Sequence, residues 1–286
     1  MPAFPAPASI SVVVDLPAGS LHVVATERDD AVATVLPATP DKASDVRVAE
    51  ETRVEFADGV LTVTGPRPLR QVVLGPKGWT TVMIEVPAGS SLSGKAGTAL
   101  IEGRLGVVGL TSSVGDARIE DTERLELKVN AGSAVLGRVA GPARIQVSAG
   151  SVRAREIASE ATIRAANGST TIGAVTGSLT ITGAHGEIVV GRVRGTLTAR
   201  SAYGNIRVDA VESGLVELTT HYGSVEVGVP AGTSAHLDVS SQHGAVRNML
   251  DPSGGPLDGQ PTAEIHVQSG FGDVIVRRPE AFSVGA

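Results

Sequence analysis

Between residues 132 and 203 the chain alternates apolar and polar positions in four consecutive copies of 18 residues, each opened by a glycine. Counted from that glycine, positions three and five are apolar or small, as at Leu136, Val152, Ile172, Ile188 and Val190. Position eight is aliphatic in all four copies (Val139, Ile157, Val175, Val193), and positions twelve and fourteen are apolar again (Leu179 with Ile181, Leu197 with Ala199). Alternation with period two predicts strands with one buried face, and the break between the two runs predicts two short strands joined at a corner. Arg, Glu, Thr and Ser fill the outward positions.

The leading glycine extends beyond these copies. Gly97, Gly115, Gly132, Gly150, Gly168, Gly186, Gly204, Gly223, Gly244 and Gly272 recur at spacings of 18, 17, 18, 18, 18, 18, 19, 21 and 28 residues. A unit this short is one turn of a solenoid, and a single turn buries too few side chains to hold itself, so the copies must stack. The expected fold is all-β: a single-chain β-solenoid (β-helix) with turns of about 18 residues. At each corner a positive φ is expected, which glycine adopts without strain; Asn167-Gly168 is an example.

Before about residue 90 the repeat blurs. Strands are predicted at Ile10–Leu16, Leu21–Thr26, Ala31–Leu36, Val54–Phe56, Val60–Thr64 and Val82–Val86, with a hairpin turn at Asp58-Gly59 and one short helix within Ala43–Thr52. Leu16-Pro17-Ala18-Gly19-Ser20, Val86-Pro87-Ala88-Gly89-Ser90 and Val229-Pro230-Ala231-Gly232-Thr233 read as one turn motif used three times, with proline at the first central position and glycine at the fourth. The predicted organisation is a disordered Pro/Ala tail at 1–9, an irregular N-terminal β region at 10–90 capping the solenoid, and regular solenoid at 91–278. A loop insertion at 249–261 explains the widest glycine spacing, and 279–286 form a C-terminal tail.

Composition narrows the core and the chemistry. Aromatic residues are 2% of the chain and hydrophobic residues 42%, so the interior is built from Val, Ile, Leu and Ala. The absence of cysteine excludes disulfides and thiolate metal sites. A net charge of −6, with acids such as Glu102, Asp116, Glu120, Asp121, Glu123 and Glu160 interspersed among the arginines from Arg104 to Arg207, argues against nucleic acid. No apolar run reaches the 18 or more residues of a membrane helix, so no membrane insertion is expected. The first residues lack a basic stretch before an apolar one, which makes a cytoplasmic location the expectation.

The residue before the corner glycine changes character along the chain. Early copies have Ala131, Ala149 and Asn167 there; later ones have His185, Tyr203, Tyr222, His243 and Phe271, with His221 beside Tyr222. In stacked turns these rings form a ladder, and both tyrosines of the chain belong to it. The ladder is the candidate contact surface, against the plainer reading that each ring covers a corner and stacks on its neighbour. A metal held by His185, His221 and His243 is a weaker alternative, because no carboxylate is in register to orient the imidazoles.

The Pro-Ala-Gly-Ser strand ends, the run Val46-Arg47-Val48-Ala49-Glu50-Glu51-Thr52-Arg53-Val54-Glu55-Phe56-Ala57-Asp58-Gly59 and the serial x-Gly-x-Ile/Val-x-Val units resemble the putative-adhesin β-strand-repeat family of bacteria over nearly the whole chain. The resemblance implies a β-helix and a family of unassigned function. No carboxylate cluster, Ser/His/Asp spacing or phosphate-holding glycine loop is visible, so no enzymatic activity and no cofactor are expected. The expected function is a noncatalytic structural or interaction scaffold with an unidentified protein or surface partner. Self-association through an open solenoid end would make it a homo-oligomer. The competing reading is a carbohydrate-active β-helix enzyme or glycan-binding module, which wants exposed aromatic platforms and paired acids.

Overall fold

The computed structural model describes residues 3–66, 78–251 and 259–279. The chain divides into two compact units, Met1–Val147 and Ser148–Ala286, both built from β-structure.

In the first unit β1 (Ala3–Pro5) pairs antiparallel with β3 (Asp30–Pro37), and β2 (Ser11–Thr26) is the central strand. Helix α1 (Ala43–Glu51) precedes the hairpin of β4 (Arg53–Ala57) and β5 (Val60–Thr64). Then come β6 (Thr80–Pro87), β7 (Ser91–Val114), β8 (Ala117–Ala131) and β9 (Ala134–Val139). Strand β2 pairs in parallel with β5, β6 and β7, and β7, β8 and β9 continue in parallel. Within the first unit, β7 runs along β2 in parallel.

Three expectations for this unit need correction. Residues Ala3–Pro5 are not a tail: Phe4 stacks on Phe56 at 5.0 Å between centroids, and the Ala6 amide donates to the Asp29 carbonyl at 2.8 Å. The two strands predicted at 10–16 and 21–26 are one strand. Within it Leu16–Ser20 forms a register shift against β7 rather than a turn, whereas the other two copies of the motif do turn. In those the Ser90 amide donates to the Pro87 carbonyl and the Thr233 amide to the Pro230 carbonyl. Glycine is thus the third turn residue, not the fourth, at φ 79° in Gly89 and 87° in Gly232, the left-handed conformation a type II turn needs there. The Asp58-Gly59 hairpin is as predicted, with φ of 51° and 73°.

After β10 (Ala143–Ala149), the second unit holds two strands per turn. These are β11 (Val152–Ile157) with β12 (Ala161–Asn167), β13 (Thr170–Val175) with β14 (Ser178–His185), β15 (Ile188–Val193) with β16 (Thr196–Tyr203), and β17 (Ile206–Val211) with β18 (Gly214–Tyr222). The remaining strands are β19 (Val225–Gly228), β20 (Ser234–His243), β21 (Val246–Asn248), β22 (Thr262–Phe271) and β23 (Val274–Arg277). Successive strands stack in parallel at an offset of 18 residues, as in Val152↔Thr170↔Ile188. The predicted inward positions are buried: Ile157, Val175, Val193, Ile163, Ile181 and Ala199 are at most 1% exposed.

The order of turns at the end departs from the sequence. Strand β18 pairs with β22, and β22 in turn with β20; likewise β19 pairs with β23, and β23 with β21. The last turn of the chain is therefore inserted between two earlier ones, and the turn of β20 and β21 lies outermost. Of the segment expected as a loop insertion, residues 252–258 lie outside the described residues, as do 280–286 of the expected C-terminal tail.

Candidate functional site

The corner of each turn in the second unit is built around its glycine. Gly168 has φ 137°, and a Cβ there would collide with the carbonyl oxygen of Gly150 one turn before. Gly204 has no left-handed φ, yet its Cβ would collide with the Gly186 carbonyl in the same way. The expected requirement for positive φ thus holds at Gly168 but not at Gly204, where close approach of stacked backbones is what excludes a side chain. Gly97, in the first unit, differs again: a Cβ there would meet the ring of Trp79.

Two further columns lock the corners, and the sequence reading missed one of them. Three residues before the glycine, the hydroxyls of Thr220, Ser269 and Ser241 donate to the carbonyls of Gly204, Gly223 and Gly272 at 2.9, 3.0 and 2.8 Å, clamping each turn to its neighbour. The signal was present as Ser or Thr at a fixed offset from the late glycines, where earlier copies have Val147 and Ala165. Ser201 occupies the same column; its hydroxyl is buried and, among the described residues, has no hydrogen-bond partner. Immediately after the glycine, the Asn205 and Asp273 side chains accept from the amides of Ser224 and Ala245 at 2.9 and 3.0 Å. The position thus serves backbone hydrogen bonding between neighbouring turns. Asp116 accepts from the Ser133 amide at 2.8 Å.

The residue before the glycine carries the ladder. His185 stacks on Tyr203, Tyr203 on Tyr222, Tyr222 on Phe271 and Phe271 on His243, with centroids 5.0, 5.1, 4.9 and 4.4 Å apart and planes within 20° of parallel. His221 meets Tyr222 edge-on at 4.9 Å. All six predicted ladder residues are brought together, but Phe271 and His243 exchange places relative to chain order because the last turn is inserted. Tyr203, Tyr222 and Phe271 remain 52%, 40% and 43% exposed.

This geometry limits what the rings can present. A ring inside the stack has a neighbour against each face, so edges rather than faces meet solvent. That is poor for stacking a sugar, which needs a free aromatic face. Trp79, the single tryptophan, is held by its indole N–H to Ser20 Oγ at 2.9 Å and packs at Gly97. The three histidines considered for a metal sit on different rungs with other rings between them. Among the described residues no group of three or more His, Cys, Asp or Glu is placed to hold a metal ion.

Outward charges nearby are paired across and along the turns: Arg194 with Glu212, Arg207 with Asp209 at 2.6 Å, and Arg277 with Glu226 at 2.5 Å. His266 on β22 has Glu264 at 2.9 Å and Asp238 of β20 at 3.5 Å. The hydrogen bond to Glu264, followed by that to Asp238, raises the imidazole pKa above its ordinary value against the opposing effect of burial. No helix among the described residues is long and apolar enough to cross a membrane.

Comparison with known proteins gives several solved structures and one family. The chain is similar to a putative adhesin of Bacteroides fragilis, at 12% identity over 96% of this chain and 95% of that one, with a TM-score of 0.39. It is also similar to a putative adhesin of Parabacteroides merdae, at 10% identity over 98% and 95% with a TM-score of 0.29. A putative cell adhesion protein of Clostridium sporogenes is similar at 9% identity over 96% and 93%, with a TM-score of 0.22. No curated protein matches the chain. The family model described as Toastrack DUF4097 matches residues 22–277, and the chain belongs to that family.

Proposed function

We propose that this protein is a noncatalytic interaction scaffold of the adhesin kind, which meets a protein partner along the His185–Tyr203–Tyr222–Phe271–His243 ladder. The observation that supports this reading is the concentration of exposed rings in one column of an otherwise aromatic-poor chain. Tyr combines apolar area with a hydroxyl and loses little conformational freedom on contact, which suits it to the centre of an interface. Stacking also fixes the rings before any partner arrives, so little ordering cost is left for binding. The corner hydroxyls and amide-capping side chains hold the ladder's backbone in place. The cytoplasmic location expected from the sequence belongs to this proposal, and cell fractionation tests it.

The experiment is a parallel screen of the full chain against immobilised proteins and immobilised glycans, with product release from a polysaccharide panel monitored alongside. The reading expects retention on a protein, lost in Tyr203→Ala/Tyr222→Ala and kept in the outward-charge variant Arg153→Gln. Retention unchanged in the tyrosine variant removes the ladder from the function. Release of sugar products overturns the noncatalytic assignment.

A further inference from the structure

The outermost turn of the second unit is left unfinished. Strand β20 is ten residues long, and among the described residues it pairs on one side only, with β22; β21 pairs only with β23. Its inward positions repeat those of its neighbour, with Ala235↔Ala263, Leu237↔Ile265 and Val239↔Val267 in register. Ile265 is 0% exposed and Val274 0%, whereas Leu237 and Val239 are half-buried and Val246 is 43% exposed. β20 contains neither lysine nor proline, the residues that commonly blunt a free strand edge.

Resting on the scaffold reading above, we propose that this edge is the docking surface for a second copy of the chain, with β20 pairing antiparallel to β20 of the partner about a two-fold axis at Leu237. Side chains along the strand decide the register. Antiparallel pairing keeps inward residues inward only when the two residue numbers of each pair sum to an even value, because a slip by one residue turns every apolar side chain outward. Among those registers, centring on Leu237 sets His236 opposite Asp238 twice, Ala235 opposite Val239 twice and Leu237 opposite itself. Centring on Asp238 would set two carboxylates face to face, and centring on His236 would leave Asp238 opposite Ser234; like charges directly opposite oppose pairing. The Leu237 register is the one that sets an imidazole against a carboxylate and apolar positions against one another. It completes the hydrogen bonding of both edges and covers the open ends with each other, in the closed two-fold form that most soluble homo-oligomers take.

The chain contains no cysteine, so a single introduced thiol reports this geometry directly. Wild-type protein in sedimentation is expected to be a dimer that dissociates on dilution. His236→Asp, which sets Asp opposite Asp, is expected to weaken it by about tenfold, and the swap His236→Asp/Asp238→His to restore it. Under mild oxidation Leu237→Cys is expected to give a disulfide-linked dimer, since directly opposed residues lie within disulfide reach, and Asp238→Cys is expected to give none. A wild-type protein that stays monomeric at every concentration overturns the proposal without needing any variant to fold. Crosslinking through Asp238→Cys in preference to Leu237→Cys overturns the register and with it the proposal. Neither failure touches the ladder assignment, which is read from partner retention.

Discussion

Strands β22 and β20 lie side by side with the same inward pattern, yet one belongs to a buried turn and the other to a rim. Ile265 has stacked turns on both sides; Leu237, one rung further out, has among the described residues a turn on one side only. In a solenoid each turn is stabilised by its neighbours, so position in the stack governs what an apolar residue contributes more than its identity does.

The largest test of that difference is truncation at the two positions. Ile265→Ala is expected to cost about 2–5 kcal/mol by leaving a cavity in a packed interior. Leu237→Ala is expected to cost less than about 1 kcal/mol in dilute solution, where its side chain is already partly in water. Equal losses in urea unfolding would break the comparison. Glycine substitution sharpens it: Gly204→Ala in an interior turn must displace the Gly186 backbone, at about 1–3 kcal/mol, while Gly244→Ala displaces an outermost turn free to move away from Gly272. Thermal unfolding should show the larger fall in Tm for Gly204→Ala.

A smaller contrast lies in the rings. Tyr222 stacks on Tyr203 and Phe271 and meets His221, whereas His243 stacks on Phe271 alone. At about 0.5–1.5 kcal/mol per aromatic pair, Tyr222→Ala should destabilise the protein at least twice as much as His243→Ala in urea unfolding. The smallest effect concerns pH. The protonated form of His266 is favoured by Glu264 of its own strand and Asp238 of β20, with Glu217 of β18 also in register with it. Its folded-state pKa is raised, so the stabilisation is fully present below the ordinary value of 6.5 and is lost as pH rises through the raised one. Amide exchange in β20 should therefore quicken as pH rises above 6.5, beyond the intrinsic increase, and His266→Gln should remove that excess.

Much of this was legible in the chain because alternation and glycine spacing are local signals. The inward positions Val152, Ile157 and Ile163 could be counted from Gly150, and the six ladder residues from the later glycines. What escaped was non-local. Nothing near Phe271 states that its rung lies between Tyr222 and His243, because parallel pairing at a fixed offset has no code for which turn comes next. The Thr220, Ser269 and Ser241 clamp was overlooked for a different reason: Ser and Thr at strand positions read as outward residues, and only the close stacking of corners turns them toward a carbonyl. Phe4 likewise lay in a proline-rich stretch with no periodicity, and its order comes from Phe56, far along the chain.

The inserted last turn is the claim on which the open rim, the ladder order and the docking proposal all depend, and paired cysteines test it directly. In-register parallel neighbours lie about 4.8 Å apart, within disulfide reach, and residues two rungs apart lie at roughly twice that, beyond it. Tyr222→Cys/Phe271→Cys should form an internal disulfide under mild oxidation and Tyr222→Cys/His243→Cys should not. A disulfide in the second variant and none in the first would mean that the turns stack in chain order, contradicting the account.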